Sequence, residues 1–193
     1  MRKLIAAEFI SLDGVIQAPG GVDEDTDGNF VHGAWTVPYW HDDIGSHFVT
    51  DMKDCDAFLL GRKTWQAHGQ AFDKLPPGDF FGDIMNGMHK YVVSTTLKSA
   101  DHWRNSSIIH NNVPEEVRKL KSQPGKNIYL DGSSVLAKTL IEHDLVDEFR
   151  LLVYPVTLGS GKKLFPDGVR QNLKFLGSHQ FPTGVVLMRY GRG

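Results

Sequence analysis

The chain has 193 residues, with 21 basic against 23 acidic side chains, a 40% hydrophobic share and one cysteine. That length supports one domain with a sizeable core, and a net charge of −2 provides no global field favouring nucleic acid or an anionic membrane surface. Cys55 has no second cysteine for an intrachain disulfide, and its neighbours Asp54 and Asp56 discourage a reactive thiolate, so a reducing compartment fits.

Arg2-Lys3 before Leu4-Ile5-Ala6-Ala7 imitates the start of a signal peptide, but Glu8 interrupts the apolar run and no small-residue cleavage site follows. No window approaches the length of a membrane-spanning helix, and a cytoplasmic protein is expected. Lys3 to Ile10 reads as the first strand, broken by Ser11-Leu12-Asp13-Gly14. A long glycine- and acid-rich loop runs on to Pro38, and loops of that length in a compact domain tend to be functional. Within it Asp23-x-Asp25-x-Asp27-Gly28 matches the first half of a calcium-binding loop, but the twelfth position is Ala34 and the flanks are not helical. It reads as a solvated acidic loop, and no metal is expected.

A helix is predicted over His41 to Met52. On it Asp43 and His47 stand four apart, a spacing open to three readings: a surface pair, two metal ligands, or an acid that contacts substrate. Asp56 to Gly61 is the second strand. Arg62-Lys63-Thr64-Trp65 follows where a helix should begin, and two cations there oppose the helix dipole unless they hold an anion. Asp73 to Met88, with Pro76-Pro77-Gly78, reads as a loop-rich excursion. Lys90 to Ser94 is the third strand, followed by Thr95-Thr96, and Ser107 to His110 is the fourth. Pro114-Glu115-Glu116 opens a helix to Lys121, with acids in its first turn, lysines in its last and Pro124-Gly125 beyond.

Ile128-Tyr129-Leu130 reads as a buried strand ending at Asp131-Gly132-Ser133-Ser134. Leu136 with Leu140 and Ala137 with Ile141 then give a helical stripe that ends near His143-Asp144, before a strand over Glu148 to Val156. This is a βαβ unit, whose crossover predicts a parallel, right-handed pair. Its turn has two readings, an ordinary α/β turn or an anion cradle at a helix start, because Gly132 admits close approach but the full G-x-G-x-x-G spacing is absent. Gly159-Ser160-Gly161-Lys162-Lys163 fails the P-loop pattern. Lys174 to Ser178 and Val185 to Tyr190 close the chain as two strands with no helix between them, and so antiparallel. The count is about eight strands and four helices in one mixed, mostly parallel sheet.

Leu59-Leu60-Gly61-Arg62-Lys63-Thr64-Trp65, Lys90 to Leu97 (KYVVSTTL) and Asp131-Gly132-Ser133-Ser134-Val135-Leu136, in that order, resemble the three cofactor elements of the dihydrofolate reductase-like superfamily. The closer likeness is to the reductase domain of the riboflavin-biosynthesis deaminase-reductase and its stand-alone relatives, and it spans nearly the whole chain. The resemblance implies an α/β three-layer sandwich, one domain over residues 1–193, with helices on both faces of the mostly parallel sheet. It implies an NADPH-dependent reductase of a small heterocycle of the riboflavin-pathway, phosphoribosylaminouracil type, with dihydrofolate reduction or a non-catalytic nucleotide-binding module as alternatives. Arg62, Lys63, Thr64, Ser94, Thr95 and Thr96 would then hold the 2′-phosphate and nearby phosphates. Gly61 borders them, Gly132, Ser133, Ser134 and Val135 would cradle the pyrophosphate, and Ala7 and Ile16 would border the nicotinamide.

Asp131, Asp43 (or its neighbour Asp42) and Asp13 are the candidate acids or substrate anchors, Asp131 first. A phosphorylated substrate would draw on Lys162, Lys163 or Arg150. The expected partner is a small molecule, with no nucleic acid or membrane, and the apolar closing strands are compatible with a homodimer.

Overall fold

In the computed structural model, which describes Met1 to Gly193, eight strands form one sheet. β1 (Leu4–Ser11) leads through the long loop to α1 (Asp42–Met52), then β2 (Cys55–Gly61), α2 (Arg62–Phe72), α3 (Phe80–Gly87) and β3 (His89–Val93). β4 (Ser106–Ile109), α4 (Val113–Ser122), β5 (Asn127–Asp131), α5 (Ser134–Glu142) and β6 (Glu148–Tyr154) follow, and β7 (Leu173–Gln180) and β8 (Val186–Arg192) end the chain. The order across the sheet is β4-β3-β2-β5-β1-β6-β8-β7. Every pairing from β4 to β6 is parallel, while β6–β8 and β7–β8 are antiparallel.

Side-chain alternation along β1 divides the core between the two faces of the sheet. Leu4, Ala6 and Ile10 pack with Leu59, Ile128 and Leu130 under Val117 and Leu120 of α4 and Leu136, Ala137 and Leu140 of α5. Ile5 and Ala7 point the other way, to Phe58, Tyr129, Val49 of α1, Trp65 of α2 and Met85 of α3. Helices therefore cover both faces. A third cluster, around Trp35, Ile44, Tyr154 and Leu187, packs part of the long loop against β6 and β8.

Two expectations need correction. The unit β5-α5-β6 is parallel, but β1 lies between its two strands, with Ala6 opposite both Leu130 and Phe149. A crossover rule sets direction and handedness and leaves room for an intervening strand. The excursion after Asp73 contains α3, a fifth helix hidden by Gly82 and Gly87. Asp79 caps it by accepting from the Gly82 N–H at 2.7 Å, and a Cβ on Gly82 would stand 2.9 Å from Leu75 Cβ, so close packing requires the glycine.

Lys90 on β3 is fully buried, and its Nζ donates to the carbonyls of Asn86 (3.0 Å) and Arg104 (3.1 Å) while lying 4.5 Å from the Trp103 ring centroid. Burial lowers its pKa to about 8, although Asp73 opposes the shift. Between that value and the ~10.4 of an unfolded lysine, the unfolded chain binds a proton that the folded chain has released, so stability rises with pH. Denaturant unfolding should show wild type gaining on Lys90→Met from pH 8 to 10, by up to about 1.4 kcal/mol per unit. A constant difference between the two would contradict this.

Candidate functional site

The C-terminal ends of β1, β2 and β5 open onto a cavity of about 880 Å³, roofed by the loop residues Gln17 to Gly21 and Glu24. Ligands of open α/β folds bind at this edge. The wall between β2 and β5 is formed by two helix starts packed on one another. Gly132 has φ +57° and Ser133 φ +63°, so the turn into α5 is left-handed at consecutive residues. Ser133 holds the strained position with its hydroxyl, which accepts the Gly61 N–H at 2.7 Å and lies 3.0 Å from Thr64 Oγ1. A Cβ on Gly132 would stand 3.3 Å from the Thr64 side chain, and one on Gly61 3.2 Å from Ser133, so glycine permits the close packing on both sides.

Helix α2 runs from this wall along the cavity. Its lining residues Thr64, His68 and Phe72 are four apart, and so are Ala67 and Ala71, so one helical face follows the cavity for about 12 Å. The start of the helix is cationic. Lys63 Nζ and Lys162 Nζ lie 2.6 and 2.7 Å from the same Asp27 oxygen, and Lys162 also reaches Asp25 at 2.5 Å. Hydrogen bonds from Lys162 and Lys63 hold the Asp27 carboxyl at a pKa of about 2. Arg62 pairs with no acid, and its guanidinium donates to Gln66 Oε1 at 2.9 Å. The far end is aromatic and apolar, with Trp40, Phe48, Phe81 and Met85 lining it alongside Phe72.

Between these ends lie three ionisable groups. His68 Nε2 stands 2.7 Å from Asp131 Oδ2, with the two side chains 21% and 20% exposed. Burial pulls the imidazole pKa down, but the Asp131 charge and hydrogen bond, helped by Glu24, outweigh it and raise His68 above its ordinary value. Glu8 on β1 is 3% exposed and its Oε2 accepts the Gly132 N–H at 3.1 Å. Burial, then the charge of Asp131, raises the Glu8 pKa well above the carboxylate range, against the Gly132 hydrogen bond.

Of the residues expected at the site, Ile16, Gly61, Arg62, Lys63, Thr64, Asp131, Gly132, Ser133, Ser134 and Val135 line the cavity together, with Lys162. The rest lie outside its lining. Ala7 points into the core below α1 and α2. Ser94 spends its hydroxyl on the Thr96 and Leu97 N–H groups, and the preceding Val93 reaches the cavity instead of Ser94, Thr95 or Thr96. Asp13 accepts from the Ser11 hydroxyl and from the amides of Leu158 and Gly159, holding a loop with a carboxyl lowered to about 2 by the Ser11 bond and those amides. Asp43 sits at the start of α1 beside His41 at 3.4 Å, Asp42 is exposed, and His47 faces Asp51 at 3.8 Å instead of Asp43. Arg150 is buried among Glu148, Asp51 and Asp54, and Lys163 is exposed.

Sequence reading missed His68 and Glu8. His68 is four residues after Thr64, a spacing that places it on the same helical face as an expected cofactor residue. Glu8 was visible as a carboxylate inside an otherwise apolar strand.

The sequence profile of the RibD C-terminal domain matches residues 2–187. The chain belongs to the RibD C-terminal domain family. Two relatives from Bacillus subtilis (strain 168) align along nearly all of it: uncharacterized protein YyaP, 37% identical over 98% of this chain and 94% of its own, and uncharacterized protein YwjB, 26% identical over 96% of each. Among solved structures, a riboflavin-biosynthesis-named protein from Shewanella sp. PV-4 superposes with a TM-score of 0.69 at 20% identity, covering 99% of both chains. A pyrimidine reductase-like protein from Corynebacterium diphtheriae gives 0.68 at 13%, covering 100% of this chain and 92% of that one. Dihydrofolate reductase from Enterococcus faecalis, complexed with NADP(H), gives 0.64 at 16%, covering 99% and 96%. The RibD C-terminal domain fold seen here is thus the dihydrofolate reductase-like one. No helix of the chain is long and apolar enough to cross a membrane.

The His68–Asp131 pair is testable by proton NMR of the imidazole. His68 should titrate above the ordinary ~6.5, and at a lower pH in Asp131→Asn, where only the Glu24 charge is left to oppose burial. Identical titration in the two proteins would contradict the pairing.

Proposed function

We propose that this protein is an NADPH-dependent reductase of a small, flat heterocycle of the riboflavin-pathway kind. Family membership supports the reductase class, and the cavity supports the cofactor. The observation that carries the reading is the polarity along α2: cations and two helix starts at one end, aromatic side chains at the other, a proton-holding pair between. The residues present fit a dinucleotide. Gly61 and Gly132 let the two turns pack against each other, so that the Gly132–Val135 start of α5 faces the cavity beside the α2 start, and Arg62 has no competing acid.

Arg62 and Lys63 would bind the 2′-phosphate, and Ser133, Ser134 and Val135 would bind the pyrophosphate at the α5 start. When bound, NADPH supplies a hydride to an electrophilic C=N or C=O carbon. The chain's own share is orientation and the proton. His68, whose proton Asp131 helps to hold, would deliver it at the cavity, and Phe48, Phe72 and Trp40 would exclude water around the substrate ring.

The lysines and arginines that line the cavity are Arg62, Lys63 and Lys162, and shared contact with Asp27 gathers the two lysines near the α2 start. A substrate bearing its own phosphate finds no second cation set at the aromatic end, so the unphosphorylated ring is the better fit. NADPH oxidation across pteridines, quinones, and pyrimidines with and without phosphoribose would test this. Faster turnover of the phosphorylated members would contradict it.

The cofactor assignment is tested by NADPH fluorescence. Arg62→Ala should weaken NADPH binding by about 1.5–3 kcal/mol, roughly 10–150-fold, while changing NADH binding far less. Equal losses for both cofactors would remove Arg62 from the 2′-phosphate, and failure of the wild type to bind NADPH would remove the reading itself.

A further inference from the structure

Glu8 is a carboxyl group built into the wall of a site that should receive an anion. It lines the cavity while 3% exposed, one oxygen occupied by the Gly132 N–H and the other, Oε1, without a hydrogen-bond partner. A buried polar atom left without a partner is costly, so its presence at a cavity wall points to a ligand atom that completes it. Gly132 is also the first residue of the turn at which the α5 start opens. An ionised Glu8 there would repel a phosphate and compete with it for the Gly132 amide.

The neutral acid resolves the conflict. Of its two oxygens the carbonyl is the better acceptor, so it takes the amide and the proton resides on the other. We propose that Glu8 is a proton-gated recognition residue for the dinucleotide, with Oε2 accepting from Gly132 and Oε1–H donating to an anionic oxygen of the pyrophosphate held at the Gly132–Ser134 turn. The proposal rests on the NADPH reading above. Binding then requires the protonated residue and weakens as pH rises through its ionisation.

The surrounding charges agree with a neutral Glu8. β5 presents Asp131, whose charge disfavours a second carboxylate, and α2 presents His68 behind it, already paired to Asp131. The lysines at the α2 start are satisfied by Asp25 and Asp27. On β6 the residue opposite Glu8 is Leu151, and the α5 turn residues lining the cavity are uncharged. Burial acts in the same direction as Asp131.

Calorimetric titration of the wild-type protein with NADP⁺ between pH 6 and 9, in buffers of different ionisation enthalpy, counts protons taken up on binding. Wild type should take up more than Glu8→Gln, and its affinity relative to that variant should fall by up to tenfold per pH unit above the Glu8 ionisation. Glu8→Gln, with an amide that also accepts from Gly132 and donates, should keep its binding at high pH. Equal proton uptake and equal pH dependence in the two proteins overturn the proposal and leave the cofactor reading standing. Absence of NADP⁺ binding in wild type overturns both. Should the variant fail to fold, carboxyl carbon-13 NMR of the wild type decides alone: the Glu8 pKa rises on adding NADP⁺ if the proposal holds, and an unchanged or lowered value overturns it.

Discussion

The hydroxyl of Ser133 is the contact on which the site depends. By accepting the Gly61 N–H and meeting the Thr64 hydroxyl, it locks the turn after β5 against the turn after β2, two segments 72 residues apart in sequence. Two helix starts are brought side by side at the sheet edge, and the backbone must be left-handed at Gly132 and Ser133 to achieve it. The strain at Ser133 is held in place by hydrogen bonds that a residue without a side-chain hydroxyl would not make. Everything else in the cavity is positioned relative to this seam: the cations at the start of α2, His68 one turn further along the same helical face, and Asp131 on the last residue of β5.

Charge is arranged in sequence along that axis. Cations predominate where a phosphate would lie, although Asp25 and Asp27 already neutralise two of them, which ties the long loop to both Lys63 and Lys162. Next comes a cluster of two carboxyls and an imidazole, Glu8, Asp131 and His68. Asp131 raises the His68 pKa against burial, and its charge adds to the burial that raises the pKa of Glu8. One carboxylate thereby favours the proton on both neighbours. The aromatic end carries no cation and suits a flat ring.

Much of the fold was readable because its strands are apolar, β-branched runs bounded by small residues, and because the Pro114 to Lys121 helix carries acids in its first turn and lysines in its last. Helix α3 was not, because two glycines in eight residues mask a helix that exists through close packing on Leu75. The position of β1 between β5 and β6 was not readable either, since local motifs do not reveal which strand inserts. At the site, the motif residues at Gly61–Thr64 and Asp131–Val135 converge on one cavity, whereas Ser94 to Thr96 and Ala7 are turned to local or core contacts. Asp13 and Asp43 have acid chemistry but lie outside the cavity lining: Asp13 holds the Leu158–Gly159 loop and Asp43 sits beside His41 at the start of α1. His68 and Glu8 acquire meaning only from Asp131, 63 residues from His68 and on a different strand from Glu8.

On the function proposed above, the β2 and β5 turns form one binding wall for a dinucleotide. Backbone amide shifts on titration with NADP⁺ test it most directly. The largest perturbations should fall together at Gly61 to Thr64 and at Gly132 to Val135, with the β7–β8 edge undisturbed. Perturbations confined to one of the two turns, or centred on another surface, would contradict it.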